Sequence, residues 1–357
     1  MDTKKKVLMS GNEAIAEGAI RAGCRFYAGY PITPQNELIA YMAVHLPESG
    51  GVFVQAESEI SAINMVYGAS AAGVRAMTSS SSPGISLKQE GISYIAGAQL
   101  PAVIVNVMRG GPGLGNIACA QSDYFQATRG GGHGDYRCLV LAPSGPQEAF
   151  DYMALAFRLA DQYRNPVMIL ADGMLGQMME PVCVTTSPKH HVTRKGQKDQ
   201  PWALTGCKGR SPRVVKSFFM QEGELEKFNV LLQKKYAQIQ EKEQRYASAH
   251  LTDATTVLVA YGTMARIARG AMQRLREQGR KVGLLQPISL WPFPSKAIQK
   301  LMRDNPWVSF LVLEMSHGQM VDDVRLAVNG KRPVAFMGKA GGGMPTEEEI
   351  IKETNSL

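Results

Sequence analysis

Short apolar runs rich in β-branched side chains alternate with segments of helical periodicity from residue 6 to residue 184. The runs at 26–28, 52–55, 76–79, 102–107, 139–142 and 167–170 read as strands. Alternation of this kind predicts an α/β fold, a parallel sheet with crossover helices. The helix starts are marked. Ser10 with Glu13 forms a capping box, Thr33 stands as N-cap before the first-turn proline Pro34, and Ser144 with Gln147 repeats the box. Several strands run into glycine- or serine-rich turns, Gly29-Tyr30-Pro31 and residues 79–84 and 110–115. These lie at the carboxyl ends of the strands, where open α/β sheets hold ligands.

The pattern breaks after Pro181. Thr185-Thr186-Ser187-Pro188, His190-His191 and a polar stretch to Ser217 read as an interdomain connection. Next, Leu225, Phe228, Leu232, Tyr236, Ile239 and Tyr246 recur at helical steps, predicting an amphipathic helix of about seven turns with one face on another surface. A second α/β unit follows from Thr255, with strands at 257–260, 282–285, 308–313 and 334–337. Helices run to residue 278 and over 321–328, and a proline-rich turn spans 287–294. The reading gives three segments: a parallel-sheet domain at 1–183, a basic connector with the long helix at 184–253, and a second α/β domain at 254–357.

Composition narrows the class. With 45% hydrophobic and 20% charged residues in 357, the chain is expected to fold rather than remain disordered. No apolar run approaches the roughly 18 residues of a membrane helix. The basic start gives way to Ser10-Gly11-Asn12 after only Val7-Leu8-Met9, so a cytoplasmic protein is expected. The five cysteines (Cys24, Cys119, Cys138, Cys183, Cys207) form no CxxC and no metal spacing with the six histidines. They read as reduced thiols, most of them in the core, and imply no iron–sulfur cluster or structural zinc within this chain. The net charge of +8 is nearly all accounted for by residues 184–217, where eight basic residues face Asp199 alone. No basic stripe with interleaved aromatics and no reader motif suggests nucleic acid.

The motifs each carry a bland alternative. Gly113-Leu114-Gly115-Asn116-Ile117-Ala118 matches a dinucleotide fingerprint, but no acidic residue caps the next strand, because Asp135 precedes it. There is no Walker A sequence, no H-E-x-x-H and no G-x-S-x-G. Gln55-Ala56-Glu57-Ser58-Glu59 ends a strand and opens a helix. Helix-dipole stabilisation alone accounts for Glu57 or Glu59, whereas a carboxylate in an apolar cleft can instead hydrogen-bond a heterocycle and tune its protonation. Capping accounts for Thr33. Arg109 follows a buried strand and precedes glycines that leave its guanidinium accessible, which suits a carboxylate or phosphate as well as a structural ion pair. His133 and His317 sit beside turn glycines as polar contacts, and His190 and His191 read as solvated.

Taken together, Gly29-Tyr30-Pro31-Ile32-Thr33-Pro34, the Glu59 helix, Ser82-Pro83-Gly84-Ile85-Ser86, Arg109-Gly110-Gly111-Pro112-Gly113 and Gly131-Gly132-His133-Gly134-Asp135 resemble the α chains of 2-oxoacid:ferredoxin oxidoreductases. The resemblance covers nearly the whole chain. Ala260-Tyr261-Gly262-Thr263, Gln286-Pro287-Ile288, Trp291-Pro292-Phe293-Pro294 and Gly318-Gln319-Met320-Val321 look like that family's transketolase-C-like domain. The connector with Pro201-Trp202-Ala203 is most similar to the 2-oxoisovalerate (3-methyl-2-oxobutanoate) type.

The resemblance implies a thiamine diphosphate enzyme in which this chain supplies the pyrimidine-binding domain, with Glu59 as the cofactor glutamate. It places Tyr30, Pro31, Ser82 and Gly84 around the cofactor, and Thr33 and Arg109 against the 2-oxo acid. A carboxyl group sharing a proton with the ring nitrogen favours the imino form that generates the nucleophile. After decarboxylation, electrons pass to ferredoxin through clusters and coenzyme A takes the acyl group. Pyruvate, 2-oxoglutarate or an aryl pyruvate are alternative substrates, and a noncatalytic scaffold subunit is an alternative role. The family's diphosphate half carries G-D-G followed by an asparagine, and Ala171-Asp172-Gly173 lacks both the first glycine and the later asparagine. The resemblance therefore implies a β subunit that brings the diphosphate and Mg²⁺ site. It further implies γ-type and ferredoxin-like subunits that bring the iron–sulfur clusters, and no activity for this chain alone.

Overall fold

The computed structural model describes residues 5–184 and 200–357. The 185–188 turn, His190, His191, and Lys189, Arg194, Lys195 and Lys198 of the basic connector lie outside the described residues.

The predicted runs assemble into a seven-stranded sheet in the order Ser289–Trp291, Leu139–Leu141, Pro166–Asp172, Ala102–Met108, Ala76–Ser80, Phe26–Gly29, Val52–Gln55. All its pairings are parallel except the first, which is antiparallel. Its central strands are buried along their whole length because helices cover both faces, which is why they read as continuous apolar runs rather than alternating ones. On one face the helix Gly11–Arg21 crosses Pro146–Tyr163 very closely. A Cβ on Gly18 would sit 2.5 Å from the Phe150 carbonyl oxygen, so glycine sets that approach. A separate antiparallel pair, Lys5–Ser10 with Met179–Val184, brings the start of this unit beside its end.

The second unit is a five-stranded sheet in the order Val334–Gly338, Ser309–Glu314, Thr256–Val259, Val282–Pro287, Tyr246–Ala249. It is parallel except for its last strand.

The Ser10–Glu13 capping box is present, and three other local readings are corrected. Thr33 caps nothing. The helix begins at Asn36, and the Pro34 carbonyl is instead held by the Asn12 and Gln177 side-chain amides at 2.8 and 3.0 Å. Ser144 bonds Glu148 through both its amide and its hydroxyl, so the helix starts two residues later at Pro146 while Gln147 turns to Cys183. The long amphipathic helix is Glu224–Lys242, shorter than its pattern, because Tyr246 opens the antiparallel edge strand. It buries Leu232, Tyr236 and Ile239.

Longer-range structure departs further from expectation. The turn at 287–294 contains the strand Ser289–Trp291, which leaves its own unit and adds to the edge of the first sheet. The helices Ser295–Asp304 and Glu347–Ser356 were not anticipated. Residues 200–217 of the connector are mostly exposed but are anchored to the first unit at Trp202 and Ala203. Trp202 is buried with its indole N–H on the Ser70 carbonyl, Arg164 lies 4.8 Å over its ring, and Arg213 donates to the Gln200 and Ala203 carbonyls.

Candidate functional site

The sheet's carboxyl-terminal loops converge beside the helices Glu59–Ala71 and Ser82–Gly97. Ser58 caps the first of these, accepting from the Ser61 amide at 3.2 Å, so that Glu59 is its first residue. The two candidate glutamates then part. Glu57 is exposed, its carboxyl held below the usual range by a hydrogen bond from Ser61, whereas Glu59 is only 6% exposed. The Glu59 side chain lies on the neighbouring helix at Gly84. A Cβ there would stand 2.6 Å from Glu59 Oε1 and closer still to Ser80 Oγ, so only glycine admits the carboxylate. Two turns on, Gly91 accommodates Ile63 in the same way. Between them Lys88 is fully buried, its Nζ donating to the Glu59 main-chain oxygen at 3.4 Å. Burial pushes that amine down to about 8, against the opposing pull of Glu59.

The end of strand Ala76–Ser80 adds polar groups that the protein does not satisfy. Thr78 Oγ1, Ser80 Oγ and Ser81 Oγ are buried with no hydrogen-bond partner. Unpaired buried hydroxyls are destabilising by about 1–3 kcal/mol each, which a ligand with polar ring edges would offset. A buried carboxylate, a glycine cradle and orphaned hydroxyls together fit an aminopyrimidine ring.

The loop 30–35 is pinned from beneath. Tyr27 and Ser79 share a hydrogen bond of 2.5 Å, Ser79 donates to Gln35 Oε1 at 2.6 Å, and Gln35 Nε2 donates to the Tyr30 carbonyl at 3.3 Å. Tyr30, Pro31 and Thr33 are thereby presented at the surface. The structure brings Thr33 and Arg109 together, since Arg109 donates through one guanidinium nitrogen to the Thr33 carbonyl and through another to the Leu114 carbonyl, each at 3.0 Å. The glycines after Arg109 do not leave it accessible: it is 7% exposed, folded beneath the 110–115 loop, with Nε buried and unpaired. Ser82 anchors the arrangement. Its hydroxyl accepts from the Arg109 amide and donates to Asp123 at 2.6 Å, and Asn106 bridges the Ser82 amide to Asp123. Ser82 therefore couples Arg109 to the helix that carries Gly84. Burial pushes the Asp123 carboxyl up, and the bonds from Ser82 and Asn106 oppose that.

Gln35, Lys88, Asn106 and Asp123 escaped sequence reasoning. Asn106 alone had a local signal, as the polar interruption of an otherwise apolar strand.

Other candidates do not join the cluster. His133 and His317 are exposed. The 113–118 stretch forms no phosphate-binding helix start and instead reaches the glycine turn of the second unit, where Asn116 donates to the Gly341 carbonyl at 3.0 Å. Asp172 is taken up by the seam between the sheets, accepting from the Thr263 amide and hydroxyl at 2.9 and 2.6 Å. Two of the five cysteines are fully in the core, Cys24 and Cys138, their thiols pushed up to about 12 by burial. Cys119 and Cys183 are half-buried and Cys207 is exposed. Among the described residues no group of three or more His, Cys, Asp or Glu could hold a metal ion, and no helix is long and apolar enough to cross a membrane.

Known proteins resemble this chain along its length. Residues 17–247 match the family described as pyruvate flavodoxin/ferredoxin oxidoreductase, thiamine diP-bdg, and residues 254–350 match pyruvate:ferredoxin oxidoreductase core domain II. The ketoisovalerate oxidoreductase subunit VorB of Methanothermobacter marburgensis is 49% identical, covering 98% of this chain and 97% of its own. A solved 2-oxoglutarate:ferredoxin oxidoreductase from Magnetococcus marinus, with 2-oxoglutarate, coenzyme A and succinyl-CoA bound, aligns at TM-score 0.88 and 27% identity. That match covers 99% of this chain, which spans 65% of the solved one. A split-gene transketolase shares the fold, at TM-score 0.60 and 12% identity over 98% of this chain and 97% of that one. The chain belongs to the 2-oxoacid:ferredoxin oxidoreductase family, as an α-type subunit carrying its thiamine diphosphate-binding domain and the core domain II that follows.

Proposed function

We propose that this chain supplies the pyrimidine side of the thiamine diphosphate site in an enzyme that oxidatively decarboxylates a 2-oxo acid. The products are acyl-CoA and CO₂, with two electrons passed to ferredoxin, and the substrate is branched-chain, of the 3-methyl-2-oxobutanoate class. The observation that carries the reading is Glu59, a buried carboxylate on the first turn of its helix, cradled by Gly84 within a domain matched to a thiamine diphosphate-binding family.

When bound, the cofactor supplies a carbon nucleophile and an electron sink. The chain's residues do the rest on this side of the site. Glu59 holds the proton shared with the aminopyrimidine ring nitrogen, and Gly84 and Ser82 shape the helix start against which the ring would lie. Tyr30 and Pro31 form the outer wall. The Thr33 hydroxyl meets the substrate carbonyl, and the guanidinium N–H groups of Arg109 that are not spent on the Thr33 and Leu114 carbonyls meet its carboxylate.

Residues 1–183 carry this work, 254–357 buttress it through the Asp172–Thr263 seam, and 184–253 join the two. Because Asp172 is engaged there, the diphosphate and Mg²⁺ fall to a β subunit. The iron–sulfur clusters fall to γ-type and ferredoxin-like partners in the cytoplasm.

The branched-chain assignment follows the ketoisovalerate relative, and the bound ligand of the solved neighbour favours 2-oxoglutarate as the second reading. A panel of kcat/KM values on the purified complex, with coenzyme A and a viologen acceptor, separates them. We expect 3-methyl-2-oxobutanoate to exceed pyruvate, 2-oxoglutarate and aryl pyruvates by about tenfold or more, as a few methylenes at about 1–3 kcal/mol each allow. A preference for 2-oxoglutarate would transfer the substrate assignment to the second reading.

A further inference from the structure

The helices Glu59–Ala71 and Ser82–Gly97 meet along one stripe of the second, Gly84, Lys88 and Gly91, at helical spacing. The two glycines seat Glu59 and Ile63. The lysine between them has no exposed surface, and it donates a hydrogen bond to the main-chain oxygen of Glu59. Among the described residues it forms no ion pair, and Glu59 is the only charged group acting on it. Burying an ammonium is unfavourable, and an apolar side chain of similar length would fill the same stripe without that penalty. The charge therefore has a use, and among the described residues the charged group it acts with is Glu59. The Lys88 ammonium thus places a positive charge beside the helix turn that carries the Glu59 carboxylate.

We propose that Lys88 is a positioning residue for Glu59. It ties down the first turn of the helix through the Glu59 carbonyl, and its charge drives the proton that Glu59 shares with the bound heterocycle off the carboxylate and onto the ring nitrogen. The proposal rests on the reading of Glu59 given above, but part of its test needs neither cofactor nor turnover.

In the cofactor-free full chain labelled with ¹³Cε-lysine, the resonance lost in Lys88→Arg identifies Lys88. Its titration midpoint in the wild type is expected at about 8. In Glu59→Gln the neighbouring negative charge that raises this midpoint is gone, so the midpoint falls by about half a unit or more, roughly a threefold change in proton affinity. Equal midpoints in the two proteins, or a wild-type midpoint at the ordinary lysine value, would overturn the proposal. In the assembled complex, Lys88→Met is expected to leave the substrate KM and the thiamine diphosphate Kd within about threefold while kcat drops about tenfold or more, with Lys88→Arg restoring part of it. Equal losses in both variants accompanied by weakened cofactor binding would mark a merely structural lysine and also overturn it. Turnover of Glu59→Gln judges the reading of Glu59, and the Lys88 midpoint judges the coupling, so each can fail without the other.

Discussion

Glu59→Gln removes nearly all turnover of the assembled complex while the chain still folds and assembles. The substitution keeps the size of the side chain, so the contact with Gly84 and the Ser58 cap survive. What is lost is the ability to take up and return a proton at the ring nitrogen. Positioned proton transfer contributes about 10²–10⁴-fold, so kcat should fall by that factor, about 3–5 kcal/mol in the barrier. Glu57→Gln is the control: its carboxylate is exposed and bonded to Ser61 beside the helix start, and kcat should be unchanged. Steady-state kinetics with melting curves for both variants decides the matter. Full activity in Glu59→Gln, or an equal loss in Glu57→Gln, would remove Glu59 from its assigned role.

Arg109→Ala is expected to lower kcat/KM by about 10²–10³-fold, through two effects that act together. Removing one partner of a buried charge pair costs about 2–5 kcal/mol, which here falls on the substrate carboxylate. The same guanidinium also fastens the Thr33 carbonyl to the Leu114 carbonyl, so its loss slackens the loop that presents the Thr33 hydroxyl. A lysine cannot hold two carbonyls and still offer a planar fork, and Arg109→Lys should recover less than about tenfold of the loss. The expected pattern is a raised KM together with a lowered kcat, because both the binding and the aim of the substrate depend on this residue. An Arg109→Ala complex with wild-type KM for the 2-oxo acid would contradict the substrate assignment.

What was legible in the sequence follows from how local each feature is. The central strands were plain because burial on both faces makes them uninterrupted apolar runs, as in Ala102–Met108 and Pro166–Asp172. Glu59 was visible because a strand, a short turn and a capped helix start are consecutive in the chain. Arg109 was read as a candidate but with the wrong exposure. Glycines after it suggested openness, whereas the loop they allow turns back and places the Leu114 carbonyl on the guanidinium. Thr33 reads as a cap because Pro34 imitates a first-turn proline, whereas the distant Asn12 and Gln177 amides hold the Pro34 carbonyl and the helix starts later, at Asn36.

Features fixed by pairs far apart in sequence had no local trace. Ser289–Trp291 joins the first sheet from within the second unit, Asp172 meets Thr263, and Ser79 reaches Gln35. Lys88 is the clearest case. A lysine in a helical pattern reads as a solvated position, and only the packing of two helices across glycines reveals it as buried against the Glu59 main-chain carbonyl.

The central claim is that this chain holds one half of a composite thiamine diphosphate site that a partner completes. Native mass spectrometry of the intact complex and of the isolated chain, each with added thiamine diphosphate and Mg²⁺, tests it directly. The account predicts a bound cofactor mass in assemblies that contain this chain together with a partner subunit, and none on the isolated chain. An isolated chain that retains the cofactor and turns over a 2-oxo acid, or a complete complex that carries none, would contradict it.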